Sequence, residues 1–370
     1  KSITTYVQLR FCYMCEFTIG KRLLENYLHQ PYSWFLNRDS SELGKSILSE
    51  VSSISNRGIK PLILIFSHVM VIIFLTTLII LINPTVAITT ILIFGTSYSI
   101  IHLMTREYLV NIGNERFLAN EKRFGIVSSA FGAIKEIKIG RLEENFIKLF
   151  KKPARSFSLN QASLQILGLL PRYGLEAIGF GGMILIILYL ISQDVDFLSV
   201  LPIFSLYVFA GYRILPALQQ IFFSVAQLKF MKSSIEKLQE DLESLQKPNL
   251  QINNSDLKFE KKIKLNNVSY LYPKTSKPIL KDINLEIDAN STVGFIGTTG
   301  SGKTTLIDVI LGLLDVHTGS IEIDNQLISH KNVRLWQKFI GYVPQNIYLK
   351  NDTIAKNIAF GVREENIDIE

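Results

Sequence analysis

Gly297-Thr-Thr-Gly-Ser-Gly302-Lys303-Thr304 satisfies the pattern GxxxxGK[ST] in full, and its flanks agree with it. Val293-Gly-Phe-Ile296 reads as a short buried strand entering the loop, and Thr304-Thr-Leu-Ile-Asp-Val-Ile-Leu-Gly-Leu-Leu314 reads as the helix leaving it. A bare pattern match can arise by accident; one held between a strand and a helix rarely does. The glycines let successive backbone N–H groups converge on phosphate oxygens, and the helix start adds its positive dipole end. Gly297, Thr298, Thr299, Gly300, Ser301, Gly302, Lys303, Thr304 and Thr305 are therefore the expected nucleotide-binding residues. Lys303 is placed to reach the β- and γ-phosphates, and the Thr304 hydroxyl to ligate Mg²⁺.

Outside this loop the chain turns apolar. Hydrophobic residues make up 48% of its 370 positions, and no Asp, Glu, Lys or Arg occurs in the 45 residues from Pro61 to Thr105. That is about twice the roughly 20 residues that cross a bilayer as a helix. Asn83-Pro84 divides the run into spans expected at about 61–82 and 85–104. A second pair is expected at about 169–192 and 197–223, with Asp194 and Asp196 in the connection.

The formal charge of +7 would suit a nucleic-acid partner, but its placement points to topology instead. Residues 1–60 carry eight Lys and Arg and residues 105–156 carry eleven, while the turns 83–85 and 192–197 carry none. By the positive-inside rule both basic segments, and everything after the fourth span, face the cytoplasm. No nucleic-acid partner is expected. Lys1 stands where an initiator Met would be, and no signal peptide precedes the first span, so the chain is expected to be cut at this end. Cys12 and Cys15 form a CxxC without further metal ligands or a strand–helix redox context, and read as small apolar residues on a helix.

Intramembrane charges are costly and face a partner or an aqueous cavity. Glu176 lies eighteen residues before Asp194 and Arg213 seventeen after Asp196. At about 1.5 Å per residue both sit some 25–27 Å from the outer turn, at similar depth. An ion pair locking the two helices is one reading. The other is that Arg172 or Arg213 faces the cavity and attracts an anionic group on a substrate, with Tyr173, Tyr207 and Tyr212 nearby.

Beyond residue 223 the pattern is amphipathic to about Lys247, the continuation of the last span. Pro248 to about 256 reads as a linker, and alternation such as Ile283-Asn-Leu-Glu-Ile287 and Ile321-Glu-Ile323 marks a mixed α/β domain over 257–370. The fold class is thus an α-helical transmembrane domain, 1–247, followed by an α/β P-loop domain.

Val268-Ser-Tyr-Leu-Tyr272-Pro273, the phosphate loop and Gly341-Tyr-Val-Pro-Gln345 together resemble the RecA-like nucleotide-binding domain of an ABC transporter. The resemblance implies ATP and Mg²⁺ as cofactors. It implies that Tyr272 stacks on adenine, with Tyr270 the rival, and that Gln345 is the glutamine reaching Mg²⁺ and the attacking water. With spans first and nucleotide domain second, the chain resembles a type IV exporter half-transporter working as a homodimer or paired half-transporter, multi-pass in the bacterial cytoplasmic membrane. More narrowly, it resembles the bacterial flippases of lipid-linked oligosaccharides used in protein glycosylation, through Pro171-Arg172-Tyr-Gly-Leu-Glu176, Tyr212-Arg213-Ile-Leu-Pro216 and Pro344-Gln-Asn-Ile-Tyr-Leu349. In that family the segments matching Asn37–Lys45 and Ala133–Arg141 dock onto the nucleotide domains.

The chain departs from the family at both ends. The first span and most of the second are expected before Lys1. The signature, the Walker B aspartate with its glutamate and the switch histidine are expected after Glu370, leaving the nucleotide domain incomplete and this polypeptide alone unable to hydrolyse ATP. An exporter of another lipid, a peptide or a drug is the alternative within the class, and a non-catalytic remnant is the alternative outside it.

Overall fold

The structure is a computed structural model, and it describes residues 2–82, 84–192, 197–245, 257–273, 275–345 and 347–368. The chain divides into two compact units, Lys1–Pro248 and Asn249–Glu370. The expected linker, 248–256, lies outside the described residues, as do Asn83 and the connection 193–196.

The first unit is helical. Helix α1 is Ser2–Leu28 and α2 is Ser40–Lys45. Asp39 caps α2, its carboxylate accepting the Ser41 N–H at 2.9 Å. From there the helical run passes through two π-turns, Ser46–Glu50 and Ser55–Ile59, into α3, Lys60–Ile82. Helix α4 is Pro84–Gly132, α5 Ile134–Gly140, α6 Glu143–Ser192, α7 Phe197–Phe230 and α8 Lys232–Ser244. Pro84 opens α4 at a position where a missing N–H costs nothing. All four expected spans fall within helices. By length and composition, Ser40–Leu81 passes as a membrane span among the described residues, and Tyr212–Phe230 with Lys232–Glu243 passes as a bent pair. Many side chains of the expected spans 85–104, 169–192 and 197–223 lie outside the described residues. Cys12 and Cys15 sit on α1 as free thiols, Cys12 buried.

Where the helices leave the apolar stretches, polar side chains fasten them. Each π-turn shifts the helix phase by one residue, and these turns direct Glu50 and Ser55 inward, to 3% and 0% exposure. The Glu50 carboxylate accepts from Arg116 Nη2 at 2.9 Å, Ser234 Oγ at 2.8 Å and Asn120 Nδ2 at 2.8 Å. Arg116 Nη2 also donates to Ser234 Oγ at 3.1 Å, so the entry to α3, α4 and α8 share one buried cluster. Lys45, also buried, pairs with Glu121 at 2.9 Å. Farther along α8, Asp241 accepts from the Tyr27 hydroxyl and from Arg38.

The last span does not continue straight, as the amphipathic pattern suggested. The chain bends by 50° at Met231. Met231 is fully buried, with Leu109, Ile112 and Phe230 in its cluster. Gly113 lets α4 pass this break closely, since a Cβ there would lie 2.1 Å from the Phe230 carbonyl oxygen. A backbone atom cannot rotate aside. Gly113→Ala is therefore expected to lower the unfolding midpoint, at a cost of at least the 1–3 kcal/mol or so of overpacking. Gly168→Ala meets only the Phe223 side chain, which can rotate where a backbone carbonyl cannot, and should cost less. Equal midpoints for the two variants would contradict this packing.

The second unit holds a four-stranded antiparallel sheet in the order β2-β1-β3-β4: β1 Lys262–Tyr270, β2 Leu280–Asp288, β3 Thr318–Ile323 and β4 Gln326–Leu327. The alternating segments at 283–287 and 321–323 are indeed strands. Asp324 and Asn325, both at positive φ, make the two-residue turn between β3 and β4. The Asp324 carboxylate accepts the N–H groups of Glu260, Lys261 and Lys262, and these bonds lower its pKa. One face of the sheet packs with helix α9, Lys303–Ile310, through Leu265, Val268, Ile323, Val309 and Leu314.

Val293–Ile296 departs from expectation: it is not a strand, and Ile296 is 99% exposed. Extended backbone becomes a strand only beside a neighbour that takes its hydrogen bonds. Among the described residues none of the four strands pairs with this segment.

Candidate functional site

The phosphate loop is built around glycines that accept conformations other residues resist. Gly300 and Gly302 have φ of 84° and 91°. A Cβ on Gly302 would also press on Ile279 and Leu280, at 3.2 Å from each. Gly302 is the N-cap of α9, and no side chain caps that helix start, which leaves its first N–H groups pointing into the loop for an anion. The Lys303 ammonium is held in the same ring of oxygens. It donates to Gly297 O and Thr298 O at 2.8 Å each, and stands 3.4 Å from Ser301 Oγ.

Thr304 is exposed and its hydroxyl free to meet a metal ion, while Thr305 is buried and its hydroxyl lies 3.1 Å from that of Tyr272. That contact ties Tyr272 to the loop. The two tyrosines meet edge to face at 5.1 Å. Tyr270 is 5% exposed, within the core, and its burial pushes its pKa up. Tyr272 packs at the core's rim, so of the two it has a ring surface to offer. Gln345 stands exposed in coil, and no hydrogen bond joins it to the loop among the described residues. The residues present fit a nucleotide triphosphate: an uncapped helix start, an ammonium among loop carbonyls, a free hydroxyl and an aromatic rim. Lys303, Thr304 and the loop N–H groups would hold the phosphates and Mg²⁺, and hydrolysis of the bound nucleotide is the chemistry that group supplies.

In the helical unit Glu176 pairs with Arg172 and not with Arg213. Arg172 Nε donates to Glu176 Oε1 at 2.7 Å, one turn apart on α6. Arg213 is exposed on α7 and makes no ion pair with Glu176. The pair therefore locks no two helices. Instead Arg172 and Glu176 line a cavity of about 310 Å³ with Tyr98 from α4 and Tyr212, Pro216 and Gln219 from α7. The Tyr98 hydroxyl is buried without a hydrogen-bond partner among the described residues. Sequence reasoning passed over Tyr98, though one signal was available. It lies six residues inside the inner end of its span and Glu176 seven inside the start of its own, which puts the two at one depth. The Tyr207 side chain lies outside the described residues.

Comparison with known proteins bears on both units. Residues 2–214 match the family described as "ABC transporter transmembrane region", and residues 280–369 match the family described as "ABC transporter". A protein named "ATP-dependent lipid A-core flippase" from Wigglesworthia glossinidia brevipalpis is 40% identical over 102 residues, covering 28% of this chain and 18% of that one. A protein of the same name from Syntrophus aciditrophicus (strain SB) is 40% identical over 104 residues, covering 28% and 17%. The matched stretch thus spans under a fifth of these relatives. A solved structure, "Structure of a bacterial Atm1-family ABC exporter with ATP bound", superposes with a TM-score of 0.76 at 18% identity, covering 98% of this chain and 63% of its own. That likeness shows a shared exporter fold. A helical unit matched over 2–214, followed by a phosphate-loop unit matched over 280–369, makes this chain a member of the ABC transporter family.

Proposed function

We propose that the protein is an ATP-driven exporter that flips a phosphate-headed lipid across the bacterial cytoplasmic membrane, with a polyprenyl-pyrophosphate oligosaccharide as the substrate. Two copies, or this chain and a related half, bind MgATP at their Gly297–Thr304 loops, with Tyr272 against adenine and Gln345 beside the metal and the attacking water. Nucleotide-driven closure shifts the helical units between two orientations, and hydrolysis resets them, a coupling between two sites through a bistable element. The reading carries over to the protein as a whole, of which relatives are longer than the matched stretch.

One observation carries the substrate side: the cavity where α4, α6 and α7 meet, with the Arg172 guanidinium, the partnerless Tyr98 hydroxyl and Tyr212. A guanidinium recognises phosphate by paired N–H bonds, and the ring faces accommodate an apolar chain. Glu176 holds Arg172 in place and offsets its charge until an anion competes for it. The relatives named for lipid A-core favour a second reading, in which the phosphate belongs to that lipid. ATPase activity of the purified protein in nanodiscs separates the two. We expect stimulation by polyprenyl-pyrophosphate glycan, and a KM for it raised roughly 10- to 100-fold in Arg172→Gln, the loss of one charged hydrogen-bonding group. Stimulation by lipid A-core alone would overturn the substrate and leave the transport reading standing.

A further inference from the structure

Lys148, Lys151, Lys152 and Arg155 occupy positions i, i+3, i+4 and i+7 of α6, one face of the helix. That face borders a continuous groove between α4 and α6, about 480 Å³ in one of its segments, and Lys152 lines it throughout. Lys122 enters from α4 on the other wall. All five cations are exposed, and none makes an ion pair among the described residues. The one carboxylate on the groove, Glu115, lies at its end nearest the spans and accepts a hydrogen bond from Asn160.

The buried and half-buried cations Lys45, Arg116 and Arg38 of this unit are matched, with Glu121, Glu50 and Asp241. Here like charges face each other at helical spacing on one wall and across to the other, an arrangement that repels itself unless an anion joins it. Compact ammonium groups that can swing on long stems suit phosphate oxygens. The stripe extends about 10 Å along α6, which calls for several anionic groups in one ligand. It also lies 14 to 21 residues before residue 169, where the apolar span is expected to start. At about 1.5 Å per residue that is roughly 21–32 Å from the hydrocarbon edge, which clears a headgroup layer of about 5–8 Å by more than one Debye length at physiological salt.

We infer that the α4–α6 groove is a binding site for a soluble polyphosphate anion, separate from both the phosphate loop and the Arg172 cavity. The anion bridges Lys122 on α4 to the stripe on α6 and thereby stiffens the helix pair.

The test uses inorganic tripolyphosphate and the purified protein in neutral-lipid nanodiscs, with Lys303→Ala present so that the phosphate loop does not report. Calorimetry should show binding that weakens steeply with salt, and hydrogen exchange should slow over 115–129 and 146–160. Lys148→Gln/Lys151→Gln/Lys152→Gln/Arg155→Gln should weaken it at least tenfold, and its unfolding midpoint without ligand should equal or exceed that of the parent, because the repulsion is gone. Lys152→Gln alone should weaken binding several-fold, which keeps the test decisive if the fourfold variant misfolds. No binding in the Lys303→Ala protein, or equal affinity after the substitutions, would overturn the site. Abolition of binding by anionic-lipid nanodiscs would reassign the groove to headgroups, and displacement by hexaglutamate at equal charge would reassign it to an acidic protein segment; either overturns the polyphosphate.

Discussion

Replacing Lys303 with alanine is expected to weaken nucleotide binding by roughly two to four orders of magnitude and to abolish nucleotide-dependent transport. The ammonium is the one cation in the loop, and it is held there by the carbonyls of Gly297 and Thr298. A triphosphate competes for it with far more negative charge, and each charge-assisted hydrogen bond is worth about 1.5–3 kcal/mol. Two such bonds lost correspond to roughly 10²–10⁴ in affinity. The substitution also strips two carbonyls of their donor, which loosens the loop before any ligand arrives. The sheet core does not include Lys303, so the unfolding midpoint should hold. Titration with a fluorescent ATP analogue reads the effect. An affinity within threefold of the parent would remove the loop from the account.

Arg116→Met is expected to be the most destabilising single change in the helical unit. Arg116 is 1% exposed and donates three hydrogen bonds to Glu50, itself 3% exposed. With the guanidinium gone, the Glu50 carboxylate keeps only Asn120 and Ser234, neutral donors, in a site water does not reach. Breaking one side of a buried pair typically costs about 3–5 kcal/mol because a charge is left uncompensated. Glu50→Gln added to Arg116→Met should restore much of the loss, since both charges then leave together. Chemical unfolding of the single and double variants reads this. A single variant within about 1 kcal/mol of the parent would mean that the cluster does not hold α8 to α4. Limited proteolysis offers a local view: in Arg116→Met, cleavage within Lys232–Ser244 should appear first.

Much of this was written locally in the chain, and the remainder was not. The phosphate loop was legible because its chemistry is contiguous: Gly300 and Gly302 announce positive φ, and Lys303 follows at fixed spacing. The strands at 283–287 and 321–323 were legible by alternation. Val293–Ile296 was read as a buried strand because its residues are apolar, yet a strand is defined by a partner that local sequence does not name. The two π-turns carry no signature in Ser46–Glu50 or Ser55–Ile59, since their phase shift is set by what Glu50 must reach on α4 and α8. The bend at Met231 falls in an unbroken helical pattern, without Pro or Gly, and is decided by packing against Leu109 and the close pass of Gly113. Depth counting placed Glu176 and Arg213 at one level, but depth alone fixes no rotation about a helix axis. Arg172, one turn away on the same helix, was the nearer partner. The cavity that resulted, with Tyr98 in it, needed three helices from distant parts of the chain.

The measurement closest to the central claim is translocation itself. The purified protein is placed in liposomes whose lumen or exterior carries fluorescent polyprenyl-pyrophosphate oligosaccharide, and protection from an added glycan-cleaving enzyme is followed with MgATP, with MgADP, and in Lys303→Ala. Protection is expected to grow with MgATP in the parent protein, to be diminished in Arg172→Gln and to be lost in Lys303→Ala. Translocation of that lipid at the same rate with MgADP, or at an undiminished rate in Lys303→Ala, would contradict it.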